Sequence, residues 1–287
     1  MSDKKLRLSA WLPSGEEALK SFEANASKLT RVYPLWYRLG DEGLAMRRLN
    51  CPQFERARVI EIAKANAVEV WPQISDFDEQ EGIRNPARIA RMLQDPKVLA
   101  FHRDGLARLI SQDQVQGVSV DYQLDQPHLQ GLLGQFLSSA PCLGLFQLKA
   151  FRGVVPGGAI APIDLIAALL KLVLAGRPAD SVELGFPGFG YDRQGSMAMM
   201  LDYAAWESLV TKFGPARRDA ESGELVLSYG DHQAWFVDSI ATLRKLLQAR
   251  EAGVTQAALW MLGSEDPRLW GMLDDFPVPF ALGSHGL

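Results

Sequence analysis

Short apolar runs alternate with longer helical patterns along the whole chain of 287 residues, and this alternation constrains the fold more than any other feature. A strand that is followed by a helix and another strand favours a parallel sheet, either closed as a barrel or open and doubly wound. No polar linker, internal repeat or low-complexity segment interrupts the pattern. The sequence therefore predicts one α/β domain over residues 1–287, a length that single barrel domains commonly reach.

Seven segments predict strands of this sheet by their length and apolar character. They are Leu6–Leu12, Thr30–Trp36, Val68–Ile74, Gly117–Tyr122, Leu143–Phe151, Val182–Phe186 and Gln256–Leu262. The helices predicted between them include Glu16–Leu29, Phe54–Ala67, Pro96–Ile110, His128–Leu137, Ile163–Leu174 and Ser239–Ala252. Only one strand falls between Asp125 and Pro162, so either one βα unit is missing there or one strand is irregular.

Local signals mark the ends of some elements. Ser14 is a candidate N-cap of the first helix, and Asn85 followed by proline is the predicted N-cap of a helix before Pro96. In Gly185–Gly190, Pro187 and the two phenylalanines suit a loop better than a nucleotide-binding fingerprint. A small β-hairpin insertion is predicted near the last strand, with Gly230-Asp231 as its turn between Glu224–Tyr229 and Gln233–Val237.

Charge and motif content exclude several classes of function. The formal net charge is −4 and no cluster of basic residues occurs, so neither nucleic acid nor an anionic membrane is an expected partner. The most apolar run, Ile163–Ala175, is too short to span a bilayer. The four histidines have no metal-ligand spacing, and no phosphate-binding loop or G-x-S-x-G elbow occurs, so no metal or cofactor is implied. Cys51 and Cys142 form either one disulfide or two separate thiols.

Several segments resemble the family 18 glycoside hydrolases, and in particular the bacterial branch that includes spore-germination glucosaminidases. Leu8–Gly43 contains SAWLPSG and YPLWYRLGDEG, which are similar to that branch's first strand and helix and its second strand with a D-x-G turn. Gly223–Trp270, with GELVLSYGDHQAWF and AALWMLGSEDPRLW, is similar to the last two barrel units. GGAIAP at Gly157–Pro162 and ELGFPGFGYD at Glu183–Asp192 match two shorter stretches of the family. The resemblance implies a (β/α)8 TIM-type barrel.

On the fourth predicted strand the family carries D-G-x-D-x-D-x-E, and this chain has QGVSVDYQ, which begins at Gln116. The resemblance implies a reaction in which the acetamide oxygen of N-acetylglucosamine attacks the anomeric carbon while the glutamate protonates the leaving oxygen. Ser119 takes the place of the second aspartate, Asp121 keeps the third, and Gln123 takes the place of the glutamate. A glutamine amide donates hydrogen bonds but has no proton to transfer, so Gln123 does not act as a general acid. Phe151 stands where the family has a tyrosine hydroxyl.

The residue types that bind sugars are retained. Trp260 matches the family's tryptophan at the floor of the −1 subsite, with core packing as the alternative. Asp121 is either part of the site or a structural acid, and Asp125 is the alternative source of an acid. Other aromatic residues lie near the predicted carboxyl ends of strands, where a barrel builds its site, and are predicted to contact substrate. They are Trp11, Trp36, Trp71, Tyr122 and Tyr191.

Three functions remain open at this stage. The first is a protein that binds glycans containing N-acetylglucosamine and is catalytically impaired because Gln123 replaces the general acid. The second is an active glycoside hydrolase, of the endo-N-acetylglucosaminidase or chitinase type, seen as a glutamate-to-glutamine variant or using another acid. The third is a structural or interaction barrel, because fold does not determine function.

The cellular localisation of the chain and the identity of its glycan ligand are also open. Met1–Leu8 has no apolar segment of the signal-peptide kind, so the chain as given is expected to be cytoplasmic, although the family is often exported. The polymer, the linkage and the oligomeric state are not specified by any motif.

Overall fold

The computed structural model describes residues 6–78, 82–124, 126–140, 142, 144–151 and 157–274. Contacts between Cα atoms divide the chain into two compact units. The N-terminal unit is Leu8–Phe146, and the C-terminal unit is Gln147–Leu287 together with Met1–Arg7. That residues 1–287 form one domain stays a prediction.

The N-terminal unit consists of short strands and longer helices. Its strands are β1 Arg7–Leu12, β2 Arg31–Pro34, β3 Tyr37–Leu39, β4 Ala45–Arg47, β5 Glu69–Val70, β6 Gln73–Ser75, β7 Phe77–Asp78, β8 Ile83–Arg84 and β9 Ser119–Asp121. Its helices are α1 Glu16–Asn25, α2 Gln53–Ala65, α3 Pro86–Gln94, α4 Pro96–Asp113 and α5 Gln130–Ser139.

Two of the predicted strands each contain a break, after which a second short strand begins. The segment Thr30–Trp36 forms β2 and continues as β3, and the segment Val68–Ile74 forms β5 and continues as β6. Pro34 and Pro72 lie at the two breaks and have no N–H to donate to a neighbouring strand. The strands before the breaks pair in parallel in the order β1-β2-β5, and those after them in the order β3-β6-β9. Strand β4 is antiparallel to β3.

The two predicted N-caps have different outcomes. The Asn85 side chain accepts a hydrogen bond from the N–H of Arg88 at 3.3 Å, so the cap of α3 is confirmed. The prediction for Ser14 is wrong, because Gly15 is the N-cap of α1 and no side chain caps that helix. Gly15 has a φ of 133°, a backbone conformation that glycine adopts without strain, so the chain turns there and not at Ser14.

The C-terminal unit contains the remaining described elements. Its strands are β10 Phe146–Lys149, β11 Val182–Pro187, β12 Gly190–Gln194, β13 Met197–Leu201, β14 Arg217–Arg218, β15 Leu225–Tyr229, β16 His232–Phe236 and β17 Gln256–Trp260. Its helices are α6 Ile163–Leu174, α7 Tyr203–Phe213, α8 Ser239–Glu251 and α9 Arg268–Met272. Strands β10, β11 and β17 are neighbours in that order, and β11 and β17 are parallel. Helix α6 buries Ile166 and Leu170 against Leu148 and Leu184 of this sheet.

The predicted hairpin is confirmed as β15 and β16, with Tyr229 opposite His232, but it belongs to a larger sheet. Five antiparallel strands pair in the order β13-β12-β16-β15-β14. The prediction that Gly185–Gly190 is a loop is wrong, because most of it lies in β11 and β12. The glycine at 190 is required by close packing, since a Cβ there would lie 2.4 Å from the carbonyl oxygen of Trp235 on β16.

The buried carboxylate of Glu224, directly before β15, binds both the segment before α6 and a lysine of α8. Glu224 accepts hydrogen bonds from the N–H groups of Ile160 and Ala161, both at 2.7 Å. The Lys245 ammonium lies 3.3 Å from Glu224 Oε1, and both side chains are fully buried. Burial lowers the pKa of Lys245, and the neighbouring Glu224 carboxylate partly opposes this effect. The carboxylate therefore fixes the backbone of the Gly157–Pro162 segment.

Between Asp121 and Val182, β10 is the only strand within the described part of the chain. Cys142 adds an isolated parallel bridge to Val118. This agrees with the single strand predicted from the sequence in that region.

Cys51 and Cys142 are separate free thiols, and burial raises the pKa of Cys51 to about 11 and that of Cys142 to about 12.

Candidate glycan-binding residues

Strand β9 places the predicted catalytic residues Ser119 and Asp121 on one face and leads into Tyr122, a predicted substrate contact, on the other. Ser119 is the register partner of Gln73 on β6, and Asp121 is the partner of Ser75. Because side chains alternate along a strand, Ser119 and Asp121 share one face and Tyr122 lies on the other. Gln116, before the strand, uses its side-chain oxygen to accept the N–H of Val70 at 2.8 Å. The position of the family's first aspartate therefore has a structural role here.

The carboxylate of Asp121 is held by a guanidinium that sequence reasoning missed. Arg84 Nη2 lies 2.7 Å from Asp121 Oδ2, and Arg84 Nη1 lies 2.7 Å from Asp76 Oδ1. Arg84 Nη1 also donates to the backbone oxygen of Asp121 at 3.0 Å. Burial acts to lower the pKa of Arg84, but the charges of Asp121 and Asp76 outweigh it and the pKa is raised. Asp76, Arg84 and Asp121 form what we call the arginine-bridged cluster.

Buried polar atoms with no partner adjoin this cluster. Asp76 is fully buried, and its second oxygen, Oδ2, has no hydrogen-bond donor among the described residues. The side-chain oxygen of Gln73 is likewise buried without a donor, while its amide nitrogen lies 3.4 Å from Asp121 Oδ2. Gln123 is exposed, and its backbone N–H donates to Asp76 Oδ1 at 3.3 Å. Unsatisfied buried acceptors of this kind call for a donor from a ligand or from water.

Tyr122 contacts helices and not the face that carries Asp121. Its hydroxyl lies 2.9 Å from His102 Nε2 on α4, and its ring stacks on Phe136 of α5 with 6.3 Å between centroids. His102 Nδ1 is 2.7 Å from the oxygen of Gly43. Burial lowers the pKa of His102 to about 4, and the bond to Gly43 opposes this only in part. These contacts fix the end of β9 from its helix side.

The predicted tryptophans of the N-terminal unit lie in separate surroundings. Trp11 is fully buried and packs against Tyr33, with 5.5 Å between ring centroids. Trp71 is half-buried, and its indole N–H donates to Glu69 Oε2 at 3.2 Å. Trp36 is buried beside a cavity of about 290 Å³ that is otherwise lined by residues of α2 and of the end of α4. The structure does not bring Trp36 together with the arginine-bridged cluster.

In the C-terminal unit, Trp260, Phe151 and Tyr191 belong to one group of aromatic residues. Phe151 lies 6.2 Å from Trp260 and 5.9 Å from Phe189, and Phe189 lies 5.3 Å from Tyr191, measured between ring centroids. Trp260 is half-buried at the carboxyl end of β17. The Lys149 ammonium lies over the Trp260 ring, 4.6 Å from its centroid, which is within cation–π distance.

A second, larger cavity of about 600 Å³ lies in the C-terminal unit. Its lining includes Trp235, the Gly157–Pro162 segment and the carboxylates Asp164, Asp219 and Glu221. Hydrogen bonds from Ser222 lower the pKa of Asp219.

Over the residues described here, no group of three or more His, Cys, Asp or Glu side chains is arranged to hold a metal ion. None of the described helices combines the length and apolar character needed to cross a membrane.

Solved structures share the arrangement of these elements. The spore cortex-lytic enzyme SleL of Bacillus cereus matches with a TM-score of 0.84 and 16% identity, over 96% of this chain and 75% of that one. A class V chitinase from Pseudomonas fluorescens matches with a TM-score of 0.83 and 18% identity, over 94% and 98% of the two chains. A glutamate-to-glutamine mutant of class V chitinase from Nicotiana tobaccum, in complex with NAG4, matches with a TM-score of 0.74 and 13% identity, over 94% and 99%.

The chain has the chitinase-like fold of the family 18 glycoside hydrolases. Its fold class is therefore the (β/α)8 TIM type that the resemblance implies. No protein-family profile and no curated protein matches the sequence. The likeness consequently lies in the three-dimensional arrangement, at identities of 13–18% for these three structures.

Within this chitinase-like fold, sequence reasoning missed Arg84, Asp76 and Lys149. Arg84 is 37 residues from Asp121 in the chain, and no local pattern indicates that they meet. Lys149 does occur in the segment that resembles the family, two residues before Phe151, so its place near Trp260 had a sequence signal. Asp125, the alternative source of an acid, lies outside the described residues.

Proposed function

We propose that this chain binds glycans containing N-acetylglucosamine and does not hydrolyse them. The observation that carries the proposal is the state of the strand end at Asp121. Its carboxylate is retained and fixed by Arg84 at 2.7 Å, while the neighbouring Gln123 has an amide where the resembling family has its acid. The chitinase-like fold supports the glycan class, and the NAG4 complex shows that a mutant protein of this fold carrying a glutamate-to-glutamine change holds such a ligand.

The side chains at Ser119, Gln123 and Phe151 lack the groups that hydrolysis requires. Cleavage of a glycosidic bond requires a proton on the leaving oxygen, and general acids contribute about 10²–10⁴-fold to such rates. The Gln123 amide has no proton to transfer, and Ser119 and Phe151 lack the carboxylate and the phenol of the resembling family. The carboxylate of Asp121 is also engaged by the Arg84 guanidinium, at 2.7 Å, and by the same arginine at its backbone oxygen.

The chemistry of binding is better supported. Asp121 and the unsatisfied oxygens of Asp76 and Gln73 can accept hydrogen bonds from hydroxyl or amide groups of a sugar. The half-buried Trp260 ring presents a flat apolar surface of the kind on which pyranose rings stack. Lys149 covers one face of that ring, so a sugar stacks on the other face or displaces the ammonium. The residues proposed for glycan binding are therefore Ser119, Asp121 and Gln123 in the N-terminal unit. In the C-terminal unit they are Phe151, Tyr191 and Trp260.

A thermal-shift titration with N-acetylglucosamine oligomers, followed by product analysis of the same mixtures, tests the proposal. A ligand that binds only the folded chain stabilises it by about 2.7 kcal/mol at a hundredfold excess over Kd. We expect a raised melting temperature with oligomers that remain intact. Shortened oligomers with the wild-type chain would contradict the loss of catalysis, and an unchanged melting temperature with every oligomer would contradict binding.

The substitution Gln123→Glu separates a lost acid from a wider loss of catalysis. If only the acid is missing, this variant should release shorter oligomers. If Ser119 and Phe151 also matter, it should bind and remain inactive, which is our expectation. Gln135→Glu on the exposed surface of α5 is a matched control that adds the same charge away from β9.

A further inference from the structure

Three register partners on neighbouring parallel strands of the N-terminal unit form a row across the sheet: an arginine, a serine and an aspartate. Arg38 of β3 is the register partner of Ser75 on β6, and Ser75 is the partner of Asp121 on β9. Register partners on neighbouring strands share a face of the sheet and lie about 5 Å apart. Arg38 therefore belongs to the same face as Asp121, two strands away.

The charged groups beside this row are unevenly matched. Arg84 forms ion pairs with both Asp76 and Asp121. Arg38 forms no side-chain hydrogen bond or ion pair with any residue that the structure describes, and its Nε is buried without an acceptor. Arg48 brings another guanidinium to the row, where it donates to Ser75 Oγ at 2.6 Å. Arg84 thus engages both carboxylates of the cluster, and Arg38 has no carboxylate partner among the described residues.

We infer that the glycan bound on this face carries a carboxylate group and that Arg38 binds it. The inference rests on the proposed function, because it specifies which kind of glycan the chain accepts. A partly buried guanidinium without an acceptor is unfavourable, and an anionic ligand removes that cost. The planar guanidinium matches the two oxygens of a carboxylate in a bidentate pair. A neutral oligomer of N-acetylglucosamine leaves Arg38 without a charged partner.

The test uses two ligands that differ in the charge of the carboxyl group and by the one methyl group that removes this charge. They are an N-acetylglucosamine oligomer in which alternate sugars carry a 3-O-lactyl group, as the free acid and as its methyl ester. Isothermal titration of the full chain should show the acid binding roughly tenfold or more tightly than the ester, as expected for a charge-assisted pair. Arg38→Gln should reduce that ratio to about twofold or less, and Arg38→Lys should give an intermediate ratio because the charge remains without the planar fork.

Two controls keep the inference open to refutation. Arg217→Gln removes an arginine of the C-terminal unit whose side chain is 68% exposed, and it should leave the ratio unchanged. Melting curves without ligand show whether each variant is folded. Equal affinities of the wild-type chain for acid and ester, or a ratio that persists in Arg38→Gln, would overturn the inference.

The neutral N-acetylglucosamine tetramer separates this inference from the proposed function. Binding of the tetramer together with equal affinities for acid and ester would keep glycan binding and reject the role of Arg38. Binding of the acid with no binding of the tetramer or the ester would support the role of Arg38 and reject recognition of neutral oligomers. Failure of all three ligands to bind would reject both.

Discussion

The buried imidazole of His102 should make the folding stability of the chain depend on pH. Its Nδ1 lies 2.7 Å from the Gly43 carbonyl oxygen, which can only accept, so Nδ1 carries the proton of the neutral ring. Nε2 then accepts from the Tyr122 hydroxyl at 2.9 Å. A second proton on the ring would disrupt this bond and place a charge at a site with no solvent exposure. Burial accordingly lowers the pKa from 6.5 to about 4.

The size and sign of the effect follow from these two values. Between pH 6.5 and pH 4 the unfolded chain binds more protons than the folded chain, so the free energy of unfolding rises with pH across this window. Each pKa unit corresponds to about 1.4 kcal/mol, so the full loss on acidification is roughly 3 kcal/mol. About 2 kcal/mol of it should disappear between pH 7 and pH 5.

Urea unfolding of the wild type and of His102→Asn at several pH values measures this contribution. Asparagine can still donate to Gly43 but does not titrate, and the carboxylates common to both proteins cancel in the difference. The difference in the free energy of unfolding should shrink by about 2 kcal/mol from pH 7 to pH 5. A difference that does not change with pH would show that His102 is not held neutral by burial.

A second variant separates the hydrogen bond from the burial of the ring. Tyr122→Phe removes the hydroxyl and leaves His102 buried with an unsatisfied nitrogen. We expect a loss of about 1–3 kcal/mol at pH 7, while the pH dependence persists. Loss of the pH dependence in this variant would instead assign the lowered pKa to the tyrosine.

Three further substitutions test the other contacts. Glu224→Gln leaves the Lys245 ammonium buried without a counter-charge, and urea unfolding should show a loss of about 3–5 kcal/mol, so an unchanged midpoint would refute the buried pair. Arg84→Gln should weaken oligomer binding in calorimetry, because it frees the Asp121 carboxylate to move, and unaltered affinity would separate the cluster from the site. Trp260→Ala should weaken the same binding roughly tenfold or more, and retained affinity would place the tryptophan in the core.

Much of the order of elements could be predicted from the sequence because it depends on local chemistry. The bounds of α6, the Asn85 cap and the turn at Gly230 follow from apolar period, side-chain capping and glycine conformation. The shared face of Ser119 and Asp121 follows from the two-residue period of a strand. The resemblance then placed Gln123 at the end of that strand.

The missed features depend on contacts between distant segments. Arg84 meets Asp121 only after β7, β8 and β9 have taken their places, and no pattern near either residue indicates the pairing. The sequence places Gly190 in a loop, with Pro187 and the two phenylalanines beside it, whereas in the structure it allows close approach of β16. Trp36 follows a strand as predicted, but the break after Pro34 puts it beside α2 and away from the arginine-bridged cluster.

The bonds from Glu224 to Ile160 and Ala161 also set an order of events during synthesis. Glu224 follows Ile160 by 64 residues, so the backbone of the segment before α6 has no acceptor for these two N–H groups when it first leaves the ribosome. At about 5–20 residues per second, the wait lasts roughly 3–13 seconds. Until Glu224 has been synthesised, the N–H groups of Ile160 and Ala161 lack their native acceptor, so this earlier segment depends on a later residue for its final hydrogen bonds.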